Sequence, residues 1–299
     1  MFTCLLASLA MGQNGTTGDV SSLAVSRNCI AFCGYDGQIQ LRKKEGTASK
    51  SISVPGGARY VRWTSNGYRL VIAGPEQVSM VTQDGLSAGP ILSLLPWKEI
   101  SALDVAGNGE LVTFGSNEGM LAVWNPATGK LRTVKVGSDI QSLAFSPDHS
   151  LIACGIRSQL VVIDSHSLKK LQSVNLTRGS TNYIYNISFL SSEKILCGLS
   201  DGTVRCDRIN IRRNRILIRG KGECLSSTVF DHGRKIAAVT IRGYNRTGDA
   251  RDQVIFGSIY SKRRQTMDLD QQPACVAAFP NDNFFYVALR NGVIQKVRA

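Results

Sequence analysis

The sequence predicts an all-β fold, a seven-bladed β-propeller, on three observations. A unit of about 40 residues recurs seven times along the 299-residue chain. Each unit holds an alternating apolar run, a turn, a second run that ends in a small residue and Gly, and a third run. In four of the units the turn before the third run carries Asp, Asn or Glu followed by Gly, which accepts the positive φ of a tight hairpin. One four-stranded sheet cannot bury both of its faces, so units of this length must stack on their neighbours around a ring.

Taken in order, the first unit begins near Val20, has Cys33-Gly34 closing its second run and turns at Asp36-Gly37. The second begins near Arg59. The third begins near Ile100, turns at Glu118-Gly119 and ends its third strand at Val123-Trp124-Asn125. The fourth is the best copy: Ile140 to Phe145 alternates, Ser146-Pro147-Asp148 turns, and Leu151-Ile152-Ala153-Cys154-Gly155 returns. Its third strand is Leu160 to Asp164, and Leu171 to Val174 is its fourth. The fifth begins near Tyr183 and carries Cys197-Gly198, Asp201-Gly202 and Arg205-Cys206-Asp207. The sixth begins near Cys224 and holds an unusually long polar connection, Arg242 to Asp252. The seventh begins near Ala274, turns at Asn291-Gly292 and reaches Ala299 after three strands.

A blade needs a fourth, outer strand, and Phe2 to Leu9 has the length to supply it to the seventh unit. Residues 1–299 then read as one propeller with both chain ends tied into one blade. Leu5 to Ala10 also has the look of a short signal-peptide core, but no basic residues precede it, and its removal would take the outer strand away.

The pattern resembles the WD40 repeat family over essentially the whole chain. The resemblance rests on Val123-Trp124-Asn125, Val162-Ile163-Asp164 and Arg205-Cys206-Asp207 at third-strand ends, and on Ser146-Pro147-Asp148 and Ser200-Asp201-Gly202 in turns. It implies a closed propeller that works as an interaction scaffold. Only one repeat has the family's Trp and none has its Gly-His pair, so the His-Ser-Asp-Trp network that braces family blades is not expected.

No apolar run approaches the roughly 18 residues that a membrane-spanning helix requires. The eight cysteines are scattered, and Cys33, Cys154 and Cys197 share one blade position before Gly. Cys29 and Cys33 lie on one strand face, about 13 Å apart, too far to share a metal. Reduced core thiols are expected, with no metal or cofactor and a cytoplasmic or nuclear home.

Net charge is +13, and from Asp201 onward 18 Lys and Arg face nine acids. The candidate basic surface comprises Arg205, Arg208, Arg212, Arg213, Arg215, Arg219 and Lys221, then Arg242, Arg246 and Arg251, then Lys262, Arg263 and Arg264. A one-sided positive field attracts phosphate backbones, anionic lipid head groups or acidic protein segments, and the same residues also serve solubility. The interleaved aromatics that stack on single-stranded nucleic acid are few, Tyr244 and Tyr260. Leu176-Thr177-Arg178-Gly179 is similar to the Arg-Arg-Gly segment of phosphoinositide-binding propellers, but Thr177 stands where the first arginine should be.

Catalytic spacing is missing. His149, His166 and His232 fall at turns where solvation is expected, no Gly-x-Ser-x-Gly elbow occurs, and Gly129-Lys130 lacks the rest of a phosphate loop. The expected function is a non-catalytic scaffold that binds protein partners in a multiprotein complex. The alternatives are an RNA-associated propeller in a ribosome-assembly or RNA-processing particle and, more weakly, a phosphoinositide adaptor in peripheral contact with a membrane.

Overall fold

The computed structural model describes residues 19–298 apart from 35, 46–48, 55–56, 76, 86, 88, 90, 94–98, 108, 178–181, 210, 221 and 242–251; for 211–214 only the backbone is described. Every element is a β-strand, every pairing is antiparallel, and the strands form seven small sheets. Blade 1 is β1 (Val20–Val25), β2 (Cys29–Gly34), β3 (Gln38–Lys43) and β4 (Ser49–Ser53). Blade 2 is β5 (Tyr60–Trp63), β6 (Arg69–Ala73), β7 (Gln77–Thr82) and β8 (Leu92–Ser93). Blade 3 is β9 (Ile100–Ala106), β10 (Leu111–Ser116), β11 (Met120–Trp124) and β12 (Leu131–Lys135). Blade 4 is β13 (Ile140–Phe145), β14 (Leu151–Ile156), β15 (Gln159–Asp164) and β16 (Lys170–Asn175). Blade 5 is β17 (Ile184–Ser191), β18 (Lys194–Leu199), β19 (Thr203–Arg208) and β20 (Ile211–Arg219). Blade 6 is β21 (Glu223–Phe230), β22 (Lys235–Ile241), β23 (Asp252–Ser258) and β24 (Gln265–Leu269). Blade 7 is β25 (Pro273–Ala277), β26 (Phe284–Leu289) and β27 (Ile294–Arg298), three strands among the described residues. Phe2 to Leu9, expected to be its fourth strand, lies outside the described residues.

The innermost strands β1, β5, β9, β13, β17, β21 and β25 each touch both neighbours, and β25 touches β1, so the ring closes. The core is correspondingly divided. Seven apolar clusters occur, one at each blade-to-blade interface, from blades 1 and 2 around to blades 7 and 1. Second strands lie between two neighbouring blades, so β2 is buried at all six positions and reads as a continuous apolar run. Outer strands have one wet face; β12 and β16 accordingly alternate between partly buried and exposed side chains.

The small residue and Gly that end the second run have a steric cause. A Cβ on Gly115 would stand 2.7 Å from Ile140 Cγ2, one on Gly155 2.9 Å from Ile184 Cβ, and one on Gly198 2.9 Å from Cys224 Sγ. In each case the next blade's first strand crosses over the glycine. Cys154 and Cys197, one residue earlier, are fully buried, and burial pushes the Cys154 thiol up to about 12 and that of Cys197 well above its ordinary value. Cys33 is equally buried and its thiol is raised to about 11 for the same reason.

First strands are also held together by polar side chains. Ser21 Oγ donates to Arg59 O at 2.9 Å, Ser142 Oγ to Ile184 O at 2.8 Å, Ser226 Oγ to Val276 O at 3.3 Å, and Ser227 Oγ to Asn186 Oδ1 at 2.6 Å. A bulge sits beside each of these contacts, at Ser21, Gln141, Tyr185 and Leu225, where one extra residue re-aims the neighbouring side chain toward the next blade. His149 departs from the solvated role expected of a turn histidine. Its Nε2 accepts the Gly107 N–H at 3.0 Å, which ties blade 3 to blade 4, and Ser165 Oγ donates to its carbonyl at 2.6 Å within blade 4. These contacts brace the ring in the absence of the family's Gly-His pair.

Two turn glycines give a prediction with an internal control. Gly119 (φ +78°) has room for no side chain, because a Cβ would stand 2.0 Å from Ser138 O and 2.2 Å from Gly137 O. Gly129 (φ +71°) has nothing within 4 Å. Gly129→Ala should cost only the left-handed backbone penalty, about 1–2 kcal/mol. Gly119→Val adds overpacking of about 1–3 kcal/mol and should lose roughly 2–5 kcal/mol in urea unfolding. Equal losses for the two variants would show that the blade 3 turn does not depend on this close approach.

Candidate functional site

Two of the arginine-rich segments, the one in β20 and the one at residues 262–264, meet on the rim between blades 5 and 6, where β20 is the outermost strand of its sheet. Within β20 the run Ile216-Leu217-Ile218 interrupts the arginines, and pairing to β19 shifts register between Ile216 and Ile218. Successive side chains of a regular strand point to opposite faces. The bulge instead brings both Leu217 and Ile218 into the cluster between blades 5 and 6, leaving Arg215, Ile216 and Arg219 exposed.

Across from β20 stands the turn that joins β23 to β24. A groove of about 600 Å³ runs between them, bounded by Arg215 to Arg219, Gln253, Ile255, Ser261, Lys262, Arg264 and Thr266. A second, more apolar hollow of about 310 Å³ adjoins it and shares Arg215 and Leu217; Leu190, Lys194, Cys206, Arg208, Ile259 and Tyr260 complete it. Among the described residues, neither hollow is lined by an Asp or Glu, and together they present six cations: Lys194, Arg208, Arg215, Arg219, Lys262 and Arg264.

The expected basic residues divide into distinct roles. Arg205 is turned inward: its guanidinium grips Asp207 through Nε to Oδ2 at 2.7 Å and Nη2 to Oδ1 at 2.6 Å, and also donates to Leu176 O. It braces β19 against the segment that follows β16 and lines neither hollow. Arg208 pairs with Glu193 at 3.2 Å on the surface, a contact worth about 0–1 kcal/mol. Arg264 is partly buried and donates to four carbonyls, with Nε to Leu217 O at 3.0 Å and Nη1 to Ser258, Ser261 and Arg263, so it fastens the blade 6 turn to the outer strand of blade 5. Burial first, and then the charge of Arg215, lowers its pKa from the ordinary arginine value. Arg215, Arg219 and Lys262 are exposed and make no ion pair among the described residues, while Arg263 stands exposed in the same turn. Lys221, Arg242, Arg246 and Arg251 lie outside the described residues, as do the side chains of Arg212 and Arg213 and the Arg178 segment.

Sequence reasoning missed Lys194, Leu217 and Ile259, because they reach the groove from three different strands or turns. The one available signal was the apolar triplet inside β20. It also named no residue of the central channel, a space of about 490 Å³ lined by the first strands. There Asp104 accepts the Phe145 N–H at 2.8 Å; burial raises its pKa, against the opposing pull of the Arg62 charge and of the backbone N–H groups of Phe145 and Val105. Arg62 Nη1 donates to Val61 O at 2.9 Å and to Ser22 Oγ at 3.3 Å. The channel's charged groups thus take part in holding first strands in place.

Among the described residues, no helix is long and apolar enough to cross a membrane and no group of three or more His, Cys, Asp or Glu is placed to hold a metal ion. No family model matches the chain, and no curated protein matches its sequence.

Proposed function

We propose that this chain is a non-catalytic, WD40-like scaffold that holds protein partners within a multiprotein complex in the cytoplasm or nucleus. The β-propeller fold is typical of protein-interaction scaffolds: a braced ring carries many loop and rim positions on which contact residues can vary without disturbing the core. The observation that supports this reading most directly is the pair of adjoining hollows on the rim between blades 5 and 6, where apolar walls and six cations meet without a carboxylate among the described lining residues. The non-catalytic part is supported by the work the candidate acid-base groups already do, with His149 and Asp104 both bound to backbone N–H groups of a neighbouring blade.

Affinity purification from native extract, with and without nuclease, tests the proposal. Stable protein partners that survive nuclease are expected. Recovery of no stable protein partner would overturn the scaffold reading.

A second reading, association with RNA in a ribosome-assembly or RNA-processing particle, is favoured by the exposed cations Arg215, Arg219 and Lys262. Its signature is an affinity that falls steeply with salt and with charge reversal at Arg212, Arg213 and Arg215. RNA binding indifferent to both changes would reject it.

A further inference from the structure

We infer that the rim groove between blades 5 and 6 is a docking site for an acidic protein segment that carries a large apolar side chain, a reading that deepens the scaffold proposal and rests on it. Charge complementarity identifies the occupant. Two guanidiniums, Arg215 and Arg264, line one groove and lie close enough for one to depress the pKa of the other, and no carboxylate among the described residues lines the space between β20 and the β23–β24 turn. Like charges gathered in this way favour an anionic ligand, which relieves their repulsion.

The walls separate a protein segment from a phosphate polymer. Leu190, Leu217, Ile259 and the ring of Tyr260 line the smaller hollow, and its volume of about 310 Å³ accommodates a leucine or aromatic side chain. Tyr260 (72% exposed) leaves apolar surface at its lip, and Ile216 (38% exposed) does the same in the adjoining groove. A nucleic-acid backbone would use the cations and leave these walls wet. An acidic segment with an apolar anchor satisfies both, with the anchor desolvated at the centre and carboxylates on the cationic rim, the arrangement in which a few buried residues carry most of the binding energy.

Arg264 is unsuited to a charge-reversal test because its four carbonyl contacts hold the blades together. Arg215 and Lys262 are exposed and serve the test without that complication. Peptides should be selected against the full chain from a random peptide display library, and the enriched sequences remade with a fluorescent label for anisotropy titration. The expected result is enrichment of net-negative peptides with at least one large apolar residue. Their affinity should fall at least about tenfold with Arg215→Glu or Lys262→Glu, by a similar factor when the apolar residue becomes Ser, and not at all with Lys169→Glu/Lys170→Glu on blade 4. Absence of binders, binders without acidic residues, or peptides indifferent to Arg215→Glu and Lys262→Glu would overturn the assignment. Competition by an RNA oligonucleotide as effective as the apolar peptide would also overturn it, in favour of a polyanion surface. Repeating the native purification with the Arg215→Glu/Lys262→Glu chain keeps the two readings distinguishable: retained protein partners alongside lost peptide binding, or alongside no peptide binding, bear on the groove alone, whereas absence of partners from the unaltered chain removes the scaffold itself.

Discussion

Phe285→Ala should be among the most damaging single substitutions in the ring. Phe285 is fully buried in β26, and its ring centroid lies 5.3 Å from that of Phe230 and 5.3 Å from that of Phe256, both on blade 6. Truncation removes the transfer free energy of a large apolar side chain and leaves a cavity against a neighbour that cannot collapse freely, which costs about 3–5 kcal/mol. The lost aromatic pairs place the expected value at the upper end, since each such pair adds about 0.5–1.5 kcal/mol beyond area burial. Phe285→Leu keeps most of the volume and should recover well over half of the loss. Denaturant unfolding followed by far-UV circular dichroism and by intrinsic fluorescence measures both variants. A loss below about 1 kcal/mol for Phe285→Ala would mean that the interface between blades 6 and 7 contributes little to closure.

Stability in a closed ring is held at interfaces rather than inside one core, and this explains what was legible in the sequence. The all-β, seven-bladed architecture could be read because the interfaces impose recurring local demands: a largely buried apolar second strand in every blade and, in blades 3, 4 and 5, a Gly where the next first strand crosses. Gly115, Gly155 and Gly198 are three copies of one steric requirement, and repetition makes such a requirement visible. The bulges at Ser21, Gln141, Tyr185 and Leu225 were not legible, because one extra residue in a strand leaves the apolar alternation nearly intact on either side.

The candidate site was legible in charge but not in geometry. The arginine density in residues 205–219 and 262–264 drew attention to the β19–β20 hairpin and the β23–β24 turn, and both border the groove. Sequence could not distinguish Arg205, locked onto Asp207, from Arg215, exposed beside Leu217, since neighbouring positions on a bulged hairpin point in different directions. Nor could it show that Lys194 and Ile259 line one hollow across a blade boundary, because that placement depends on how two sheets stack and not on any spacing within either of them.

The seam between blades 7 and 1 yields the second large effect. Lys44, just after β3, places Nζ 2.5 Å from Asp282 Oδ2 in the turn between β25 and β26, with side-chain exposures of 8% and 20%. Its ammonium also lies 5.1 Å from the centroid of Phe279 and 5.5 Å from that of Phe284. Removing one partner of a buried pair strands the other charge and costs about 3–5 kcal/mol; the partial exposure of the pair sets the expectation for Asp282→Ala just below that range, about 2–3 kcal/mol. Lys44→Met/Asp282→Asn removes the stranded charge while the Met side chain keeps its packing against the two rings, so the double variant should lie within about 1 kcal/mol of the unaltered chain. The pH dependence has a fixed sign. Burial lowers the Lys44 pKa, partly offset by its hydrogen bond and attraction to Asp282, and without that carboxylate the value falls further. A lysine whose folded pKa lies below its unfolded value of about 10.4 destabilises the fold while charged, and that penalty fades as pH rises from the folded pKa toward the unfolded one. The deficit of Asp282→Ala should therefore be largest near neutral pH and shrink as the medium becomes alkaline, whereas the double variant should show no such trend. A deficit that holds constant into the alkaline range would show that Asp282 acts through its own turn, whose carbonyl accepts the Asp231 N–H of blade 6 at 2.8 Å, and not through Lys44.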